Sequence, residues 1–169
     1  MGIVLIKLKF HINAALKKLF YKLSYGKHIT FVKGTTFRKN FSLYIENNAT
    51  VKIGNECFFN NGCSINALEK IIIGDRCIFG EGVKIYDQNH KFRDINQPVK
   101  SQGFSTKPIE IGSDCWICSN VIILKGVKIG KHCVIGAGCL VYKDVPDNTV
   151  LKNSCEMSYQ SVTLSEENK

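Results

Sequence analysis

The stretch IGSDCW ICSNVI ILKGVK IGKHCV IGAGCL VYKDVP, residues 111–146, divides into hexads that each open on a large apolar residue. Four positions later, each hexad carries Cys or Val. Neither the 3.6-residue period of a helix nor the two-residue period of a long strand produces this pattern. A short strand followed by a turn at every sixth residue does produce it, and three such strands close one triangular coil of a parallel β-solenoid.

The same hexads occur upstream. IGNECF FNNGCS INALEK begins at Ile53, and IGDRCI FGEGVK IYDQNH begins at Ile73. Two extra residues precede the frame in VKIG, IIIG and IEIG, so the early coils are predicted to contain about twenty residues rather than eighteen. Glycine at the second hexad position suits a turn that needs either a positive φ or a close approach of two backbones.

Composition and charge restrict the class of protein. The chain has 169 residues, enough for one domain, and a formal net charge of +9, which implies anionic partners such as a phosphorylated cofactor, an acidic glycan or a membrane surface. Its basic residues do not interleave with aromatic ones, which argues against nucleic acid. We identify neither a convincing signal peptide nor an apolar stretch of bilayer length, so we expect a cytoplasmic protein with reduced thiols.

The cysteines follow the repeat. Cys115 and Cys118 form a CxxC, but no second CxxC follows, and a packing role is favoured over metal ligation. Three histidines at the close spacing of a zinc enzyme are also missing, so no metal is expected. The roles of Cys118 and Cys155 stay open. The cysteines at the small inward position of a hexad are Cys57, Cys63, Cys77, Cys115, Cys133 and Cys139.

The N-terminal region differs from the repeat. Leu8, Ile12, Leu16, Leu19 and Leu23 recur at helical spacing, which predicts a helix. This helix either packs across the open end of the first coil, where strand edges need cover, or lies on an anionic membrane surface through residues 1–25. The predicted organisation is therefore a cap or membrane segment at 1–40, a β-helix at 41–157 with a loop at 91–108, and a solvated tail at 158–169.

Residues 108–150 resemble the hexapeptide-repeat acetyltransferases, which include galactoside, maltose and capsular-sugar O-acetyltransferases. The resemblance rests on a Trp-Ile pair, a Gly-Val-x-Ile-Gly step, an Ile-Gly-Ala-Gly turn and a Lys-Asp-Val-Pro exit, all in the expected order. It implies a left-handed parallel β-helix, a homotrimer with active sites shared between neighbouring subunits, and acetyl-CoA as the acyl donor.

One long loop, KFRDINQPVKSQGFSTKP, interrupts the hexads directly after His90. A long loop in a tight solenoid is usually functional. Acyl transfer to a hydroxyl needs a base, and a neutral imidazole can serve as one. The resemblance places the catalytic base at His90. Asp87, three residues earlier, is a candidate for orienting the imidazole ring, with a surface carboxylate at a turn as the alternative.

The resemblance assigns further site residues. It places the backbone N–H that stabilises the oxyanion at Ser119, and contacts with coenzyme A at Ala137, Tyr142 and Lys143. Trp116 is a candidate wall for the pantetheine arm or the sugar, and Asn61 is a candidate substrate contact. A structural aromatic and a turn asparagine explain those last two residues about equally well.

The function predicted is acetyl-CoA-dependent O-acetylation of a sugar in a surface polysaccharide or its precursor. One alternative is N-acetylation of a nucleotide-linked amino sugar, for which Asp87 or Asp94 could assist His90. Another is a non-catalytic trimeric scaffold. The chain departs from the family at VLKNSCEM, where relatives read Ala-Gly-Asn-Pro-Ala-Lys, and at residues 67–69, where galactoside enzymes carry an acidic contact. A simple galactoside is therefore not the expected acceptor.

Overall fold

The computed structural model describes residues 2–46 and 48–154, with the side chains of its helix from Leu8 onward. The chain forms a helix, α1 (Gly2–Tyr25), followed by a left-handed parallel β-helix whose three sheets enclose one core. This is the predicted architecture. One antiparallel hairpin projects from it, formed by β10 (Gln88–His90) and β11 (Phe104–Thr106).

Each face of the triangular coil is one parallel sheet. Sheet A contains β1 (Ile29–Phe31), β4 (Thr50–Ile53), β7 (Lys70–Ile73), β12 (Ile109–Ile111) and β15 (Lys128–Ile129). Sheet B contains β2 (Thr36–Phe37), β5 (Phe58–Phe59), β8 (Ile78–Phe79), β13 (Trp116–Ile117), β16 (Val134–Ile135) and β18 (Val150–Leu151). Sheet C contains β3 (Ser42–Ile45), β6 (Ser64–Ala67), β9 (Lys84–Tyr86), β14 (Ile122–Ile123) and β17 (Leu140–Val141).

The strand register shows that the coils shorten along the chain. Ile29 pairs with Val51 and Val51 with Ile71, steps of 22 and 20 residues. Ile111 pairs with Ile129, a step of 18 residues. The predicted difference between early and late coils is therefore confirmed. The extra residues lengthen strands such as β4 and β7, which have four residues where β15 has two.

The turns explain which residues occupy the second and fourth positions of a hexad. A Cβ added to Gly54 would lie 2.5 Å from the carbonyl oxygen of Gly74, and one added to Gly74 would lie 2.6 Å from the nitrogen of Ser113. Close approach of neighbouring coils, and not a positive φ, therefore requires glycine at the second position. The positive φ falls at the fourth position, where the backbone turns the corner; examples are Glu56, Arg76, Asp114, Asn120 and His132.

Inward side chains at the first and fifth hexad positions form the core. Phe37, Phe59 and Phe79 stack along the inside of sheet B, and the last two rings are parallel at 4.3 Å between centroids. Each such buried side chain contributes on the order of 1.5–3 kcal/mol through removal of apolar surface from water. The largest fully buried aliphatic side chains are those of Ile53, Ile65, Ile71, Ile73, Ile85, Ile109, Ile117, Ile123 and Ile135.

All six cysteines at the inward small position are buried, as predicted. Five of them also donate an S–H to a carbonyl of the next coil; the Cys57 sulfur lies 3.1 Å from the Gly74 oxygen, and the Cys115 sulfur lies 3.0 Å from the Gly130 oxygen. Burial raises the pKa of the Cys63 thiol to about 11. The Cys63 thiol therefore carries little of the reactive thiolate, whereas the hydrogen bond with Cys77 lowers the pKa of the Cys115 thiol to about 7. All six thiols are buried and pack as small apolar groups.

Helix α1 crosses the open end of the first coil. Lys17 donates to the Phe41 carbonyl at 3.2 Å, Lys18 to the Thr35 carbonyl at 3.0 Å, and the Tyr25 hydroxyl to the Leu43 carbonyl at 3.1 Å. Tyr21 is buried against the same end. These donors satisfy carbonyls that no preceding strand can pair, so the helix covers an edge that would otherwise be exposed.

Two details differ from the sequence-based expectations. The apolar residues that predicted the helix, Leu8 to Leu23 at helical spacing, lie on its exposed face, because Ala14 and Tyr21 on the opposite face make the contact. The solenoid begins at Ile29, ahead of the predicted boundary at residue 41, because β1 and β2 already form sides of the first coil. Asn47, Cys155 and the predicted tail lie outside the described residues. Within the described residues, no helix combines the length and the hydropathy needed to cross a bilayer.

The buried thiols lead to a labelling prediction. Thiol titration of the native protein should modify Cys118, which is only half-buried, and Cys155, and all eight cysteines should react after denaturation. The Cys118→Ser variant should lose one rapidly reacting equivalent. Rapid labelling of Cys57 or Cys133 in the native protein would contradict the inward register.

Candidate active site

One edge of the solenoid aligns residues from four coils. The turns between sheets B and C carry Asn61, Glu81, Ser119 and Ala137 at the third position of successive hexads, and we refer to these four as the B–C row. Backbone hydrogen bonds join neighbouring turns: Gly82 N donates to the Asn61 carbonyl at 2.9 Å, and Gly138 N to the Ser119 carbonyl at 2.9 Å. Three residues singled out from the sequence therefore lie in one column, at steps of about 4.8 Å per coil.

Side chains of the B–C row accept some of the N–H groups of its turns. The N–H of Lys39 donates to Asn61 Oδ1 at 3.2 Å, and the N–H of Glu81 donates to Ser119 Oγ at 3.2 Å, so a side chain of the next coil caps these two turns. The N–H of Asn61 instead donates to Asn60 Oδ1 of its own turn at 2.9 Å. The coil after Ser119 presents Ala137, whose methyl group cannot accept a hydrogen bond. Among the described residues, the N–H of Ser119 therefore has no acceptor, which leaves a fixed donor at this edge.

His90 lies on a different edge, between sheets C and A. The chain leaves the coil at the end of β9 and forms the β10–β11 hairpin, in which His90 pairs with Phe104. The two rings contact each other at 4.3 Å between centroids, which limits rotation of the imidazole. His90 is exposed, and no hydrogen bond to either ring nitrogen occurs within the described part of the chain. The ring is thus held by its face while its nitrogens stay available.

A cavity of about 600 Å³ opens beside His90. Lys91, Arg93 and Lys125 bring three cations to it. The carboxylate of Asp94 accepts hydrogen bonds from the Asn96 N–H at 3.0 Å and the Gln97 amide at 2.9 Å, so both of its oxygens are already hydrogen-bonded within the loop. The cavity is therefore polar and carries more positive than negative charge. Its other lining residues are Asn89, Phe92, Gln102 and Ser105.

Asp87 has a contact other than the predicted one. Its side chain is fully buried, and its carboxylate accepts the N–H groups of Leu68, Glu69 and Lys70 at 2.8–2.9 Å. Its own carbonyl accepts the Lys107 N–H at 2.9 Å, where the loop returns to the coil. No hydrogen bond links Asp87 to His90 in residues 2–46 and 48–154. Asp87 therefore anchors the base of the hairpin, and its carboxylate does not orient the imidazole ring within this chain.

The remaining predicted residues divide between the edges. Tyr142 and Lys143 are exposed on the C–A edge, with the ammonium group of Lys143 5.8 Å from the Tyr142 ring centroid. Trp116 projects from the outer face of sheet B and is 53% exposed, so it is not a core aromatic. Asn61 uses its amide within the B–C row, where Nδ2 donates to Glu81 Oε1 at 2.9 Å.

One face of sheet C separates His90 from the B–C row. Six residues join Ser119 to the C–A edge at Lys125, a span on the order of 15–20 Å at about 3.3 Å per residue. The open N–H of Ser119 and the imidazole of His90 in the same chain therefore cannot act on one small group.

Two residues of these edges were missed in the sequence. Glu81 lies in the B–C row between Asn61 and Ser119, and Lys125 lines the cavity, where its ammonium group donates to the Ser105 carbonyl at 3.2 Å. Both occupy the third position of their hexads, as Ser119 and Lys143 do. Comparing that position across all hexads would have identified them. Within the described residues, no group of three or more His, Cys, Asp or Glu side chains is placed to hold a metal ion.

Comparison with known proteins adds an independent line of information. Residues 108–143 match the family "Bacterial transferase hexapeptide (six repeats)". A maltose O-acetyltransferase structure from Clostridium difficile 630 is 33% identical, with a TM-score of 0.60 over 73% of this chain and 67% of that one. A hexapeptide-repeat acetyltransferase from Vibrio cholerae O1 biovar eltor, complexed with acetyl coenzyme A, is 30% identical, with a TM-score of 0.58 over 69% of this chain and 64% of that one.

A curated relative gives a similar result. The galactoside O-acetyltransferase of Lactococcus lactis subsp. lactis (strain IL1403) is 31% identical over 139 residues, which are 82% of this chain and 55% of the relative. The chain covers between 34% and 58% of the length of the first curated relatives, so it spans only part of each of these proteins.

The contacts of Asp87 lead to a stability prediction. Asp87→Ala removes the acceptor of three N–H groups, and we expect the free energy of unfolding to fall by about 2–4 kcal/mol. Denaturant unfolding measures this change. The control is Asp94→Ala, in the exposed loop, which should stay within about 0.5 kcal/mol of the wild type. Equal stability of the two variants would contradict the anchoring role of Asp87.

Proposed function

Because the chain belongs to the hexapeptide-repeat acetyltransferases, we propose that it transfers an acetyl group from acetyl-CoA to a hydroxyl of a sugar. The observation that carries the proposal is the pair of complementary groups on the two edges. One edge presents an imidazole with free nitrogens beside a polar cavity, and the other presents a backbone N–H without an acceptor. Acyl transfer needs a base and an oxyanion donor, and these groups have those chemical properties.

His90 acts as the base in this proposal. A sugar hydroxyl in the adjoining cavity donates its proton to a ring nitrogen as the oxygen attacks the thioester carbonyl. Contact with Phe104 limits ring rotation, so the nitrogen is held towards the acceptor. The same nitrogen returns the proton to the departing thiolate of coenzyme A, and no net proton is consumed.

Ser119 and Ala137 bind the acyl donor. Acetyl-CoA supplies an acetyl group activated as a thioester. The N–H of Ser119 donates to the carbonyl oxygen as negative charge develops there, and a rigid turn holds that donor before the reaction begins. Ala137 keeps the donor free because it offers no competing acceptor. Tyr142 and Lys143 contribute an exposed ring and a cation at the C–A edge, which suits the phosphates of coenzyme A.

The separation of the two edges supports a homotrimer in this proposal. Because one face of sheet C lies between His90 and Ser119 in one chain, a complete site forms where neighbouring chains meet. In a closed ring of three chains, the C–A edge of each chain lies against the B–C row of its neighbour.

The acceptor we propose is a sugar of a surface polysaccharide or its cytoplasmic precursor. The cavity is polar and exposed along the loop, which allows a sugar within a longer chain to enter. Lys91, Arg93 and Lys125 also favour an acceptor with an acidic group. N-acetylation is less well supported, since a protonated amine benefits from a free carboxylate, and those of Asp87 and Asp94 are both occupied. A non-catalytic scaffold makes no use of an imidazole held against Phe104 beside a cavity.

His90 supplies the first test of the reaction. We expect His90→Ala to bind acetyl-CoA normally and to lose roughly 10²–10⁴-fold in turnover, the usual contribution of a positioned base. His132→Ala, on a distant turn, is the matched control and should keep its turnover. Retention of more than about a tenth of wild-type turnover in His90→Ala would exclude His90 as the base.

Ala137 supplies a test of the oxyanion donor. The hydroxyl added in Ala137→Ser should accept the Ser119 N–H, as Ser119 Oγ accepts that of Glu81. We expect kcat at saturating acetyl-CoA to fall by roughly 10²-fold, the cost of one lost donor. Ala137→Gly adds no acceptor and should stay near the wild type. Equal kcat values for the Ser and Gly variants would remove Ser119 from the mechanism.

A further inference from the structure

Helix α1 is apolar on two opposite faces. Ala14 and Tyr21 are buried on the end of the first coil. Leu8, Ile12, Leu16, Leu19 and Leu23 lie about 180° away around the helix at 100° per residue, and we call these five residues the outer stripe. Their side chains are 51–78% exposed. The helix thus covers the coil with one face and presents a second apolar face to solvent.

The outer stripe is large and points away from the protein. Because the packed face lies on the end of the coil, the stripe faces outward along the axis of the solenoid. It extends about 22 Å, from Leu8 to Leu23, at a rise of about 1.5 Å per residue. Solvent-facing aliphatic residues in a continuous row of this length mark an interaction surface.

The charge of the chain is concentrated at the same end. Residues 1–45 contain nine lysines and arginines and no acidic residue, whereas residues 46–169 contain fourteen of each sign. The whole net charge of +9 therefore belongs to the helix and the first coil. Lys9 and Lys22 are exposed and flank the outer stripe on its two sides, by the helical angles of their positions.

We propose that the outer stripe docks onto an anionic lipid bilayer. The aliphatic side chains enter the boundary between headgroups and acyl chains, while Lys9, Lys22 and Lys27 contact the lipid phosphates. The charge selects this occupant over a second copy of the chain, because two such ends would place nine positive charges against nine. The solenoid then stands on the membrane by its first coil. The inference does not depend on the acetyl-transfer reaction.

Vesicle sedimentation tests the proposal. The full chain should pellet with vesicles of phosphatidylcholine and phosphatidylglycerol at 7:3, should remain in solution with phosphatidylcholine alone, and should be released as salt screens the lysines.

The double variant Leu16→Ser, Leu23→Ser should bind at least tenfold more weakly. Ile95→Ser, Val99→Ser, a matched pair of exposed aliphatic residues in the loop, should bind as the wild type does. Lys9→Gln and Lys22→Gln should each weaken binding about fivefold.

Circular dichroism and thermal unfolding of the variants confirm that the fold is retained, since all four aliphatic side chains face solvent. Equal binding to neutral and anionic vesicles, or loss of binding in the loop pair as well, would overturn the proposal. So would a failure of the wild type to bind. In that case analytical ultracentrifugation identifies the other occupant: a larger assembly that Leu16→Ser, Leu23→Ser dissociates would assign the outer stripe to contact between copies.

Discussion

Close contact between successive turns is the constraint on which the rest of the molecule depends. Along the A–B edge a Cβ on Gly54, Gly74 or Gly112 would lie within 2.8 Å of the neighbouring coil, so the backbones meet almost without side chains between them. This contact sets the strand register and places equivalent hexad positions in columns. It also lets a side chain of the next coil accept a turn N–H, as Ser119 Oγ accepts that of Glu81. A single residue without an oxygen, Ala137, is then enough to create the free donor at Ser119.

The hexads predicted the coil, the inward cysteines and the longer early coils, because each of these features depends on local spacing alone. They did not predict which face of α1 packs. The leucine stripe has the strongest helical period, yet Ala14 and Tyr21 make the contact, since they fit against the end of a narrow coil and leucines on the other face do not interfere. A helix with two apolar faces cannot be oriented from its periodicity.

The geometry of the candidate site was likewise only partly predictable from the sequence. His90 was predicted from the family resemblance together with the interruption in the repeat, but the spacing of Asp87 and His90 says nothing about where the carboxylate points. The carboxylate accepts hydrogen bonds from three N–H groups of the preceding coil, which are 17 to 19 residues away in the sequence. Nor does spacing reveal that His90 and Ser119 occupy different edges. That separation emerges only when the hexads are wound into three faces, and it leads to the proposed sharing of the site between chains.

The stacking of coils also means that equivalent positions of two coils are separated along the solenoid axis by a whole number of coil spacings. The hairpin that carries His90 and the turn that carries Ser119 belong to neighbouring coils, so their relative height is fixed by one step of about 4.8 Å. Removing the first coil, or adding another ahead of it, would leave both positions in place, together with the N–H groups of residues 68–70 that anchor Asp87. The first coil and α1 are therefore a replaceable module: this end can be redesigned for a different attachment while the reaction centre keeps its geometry.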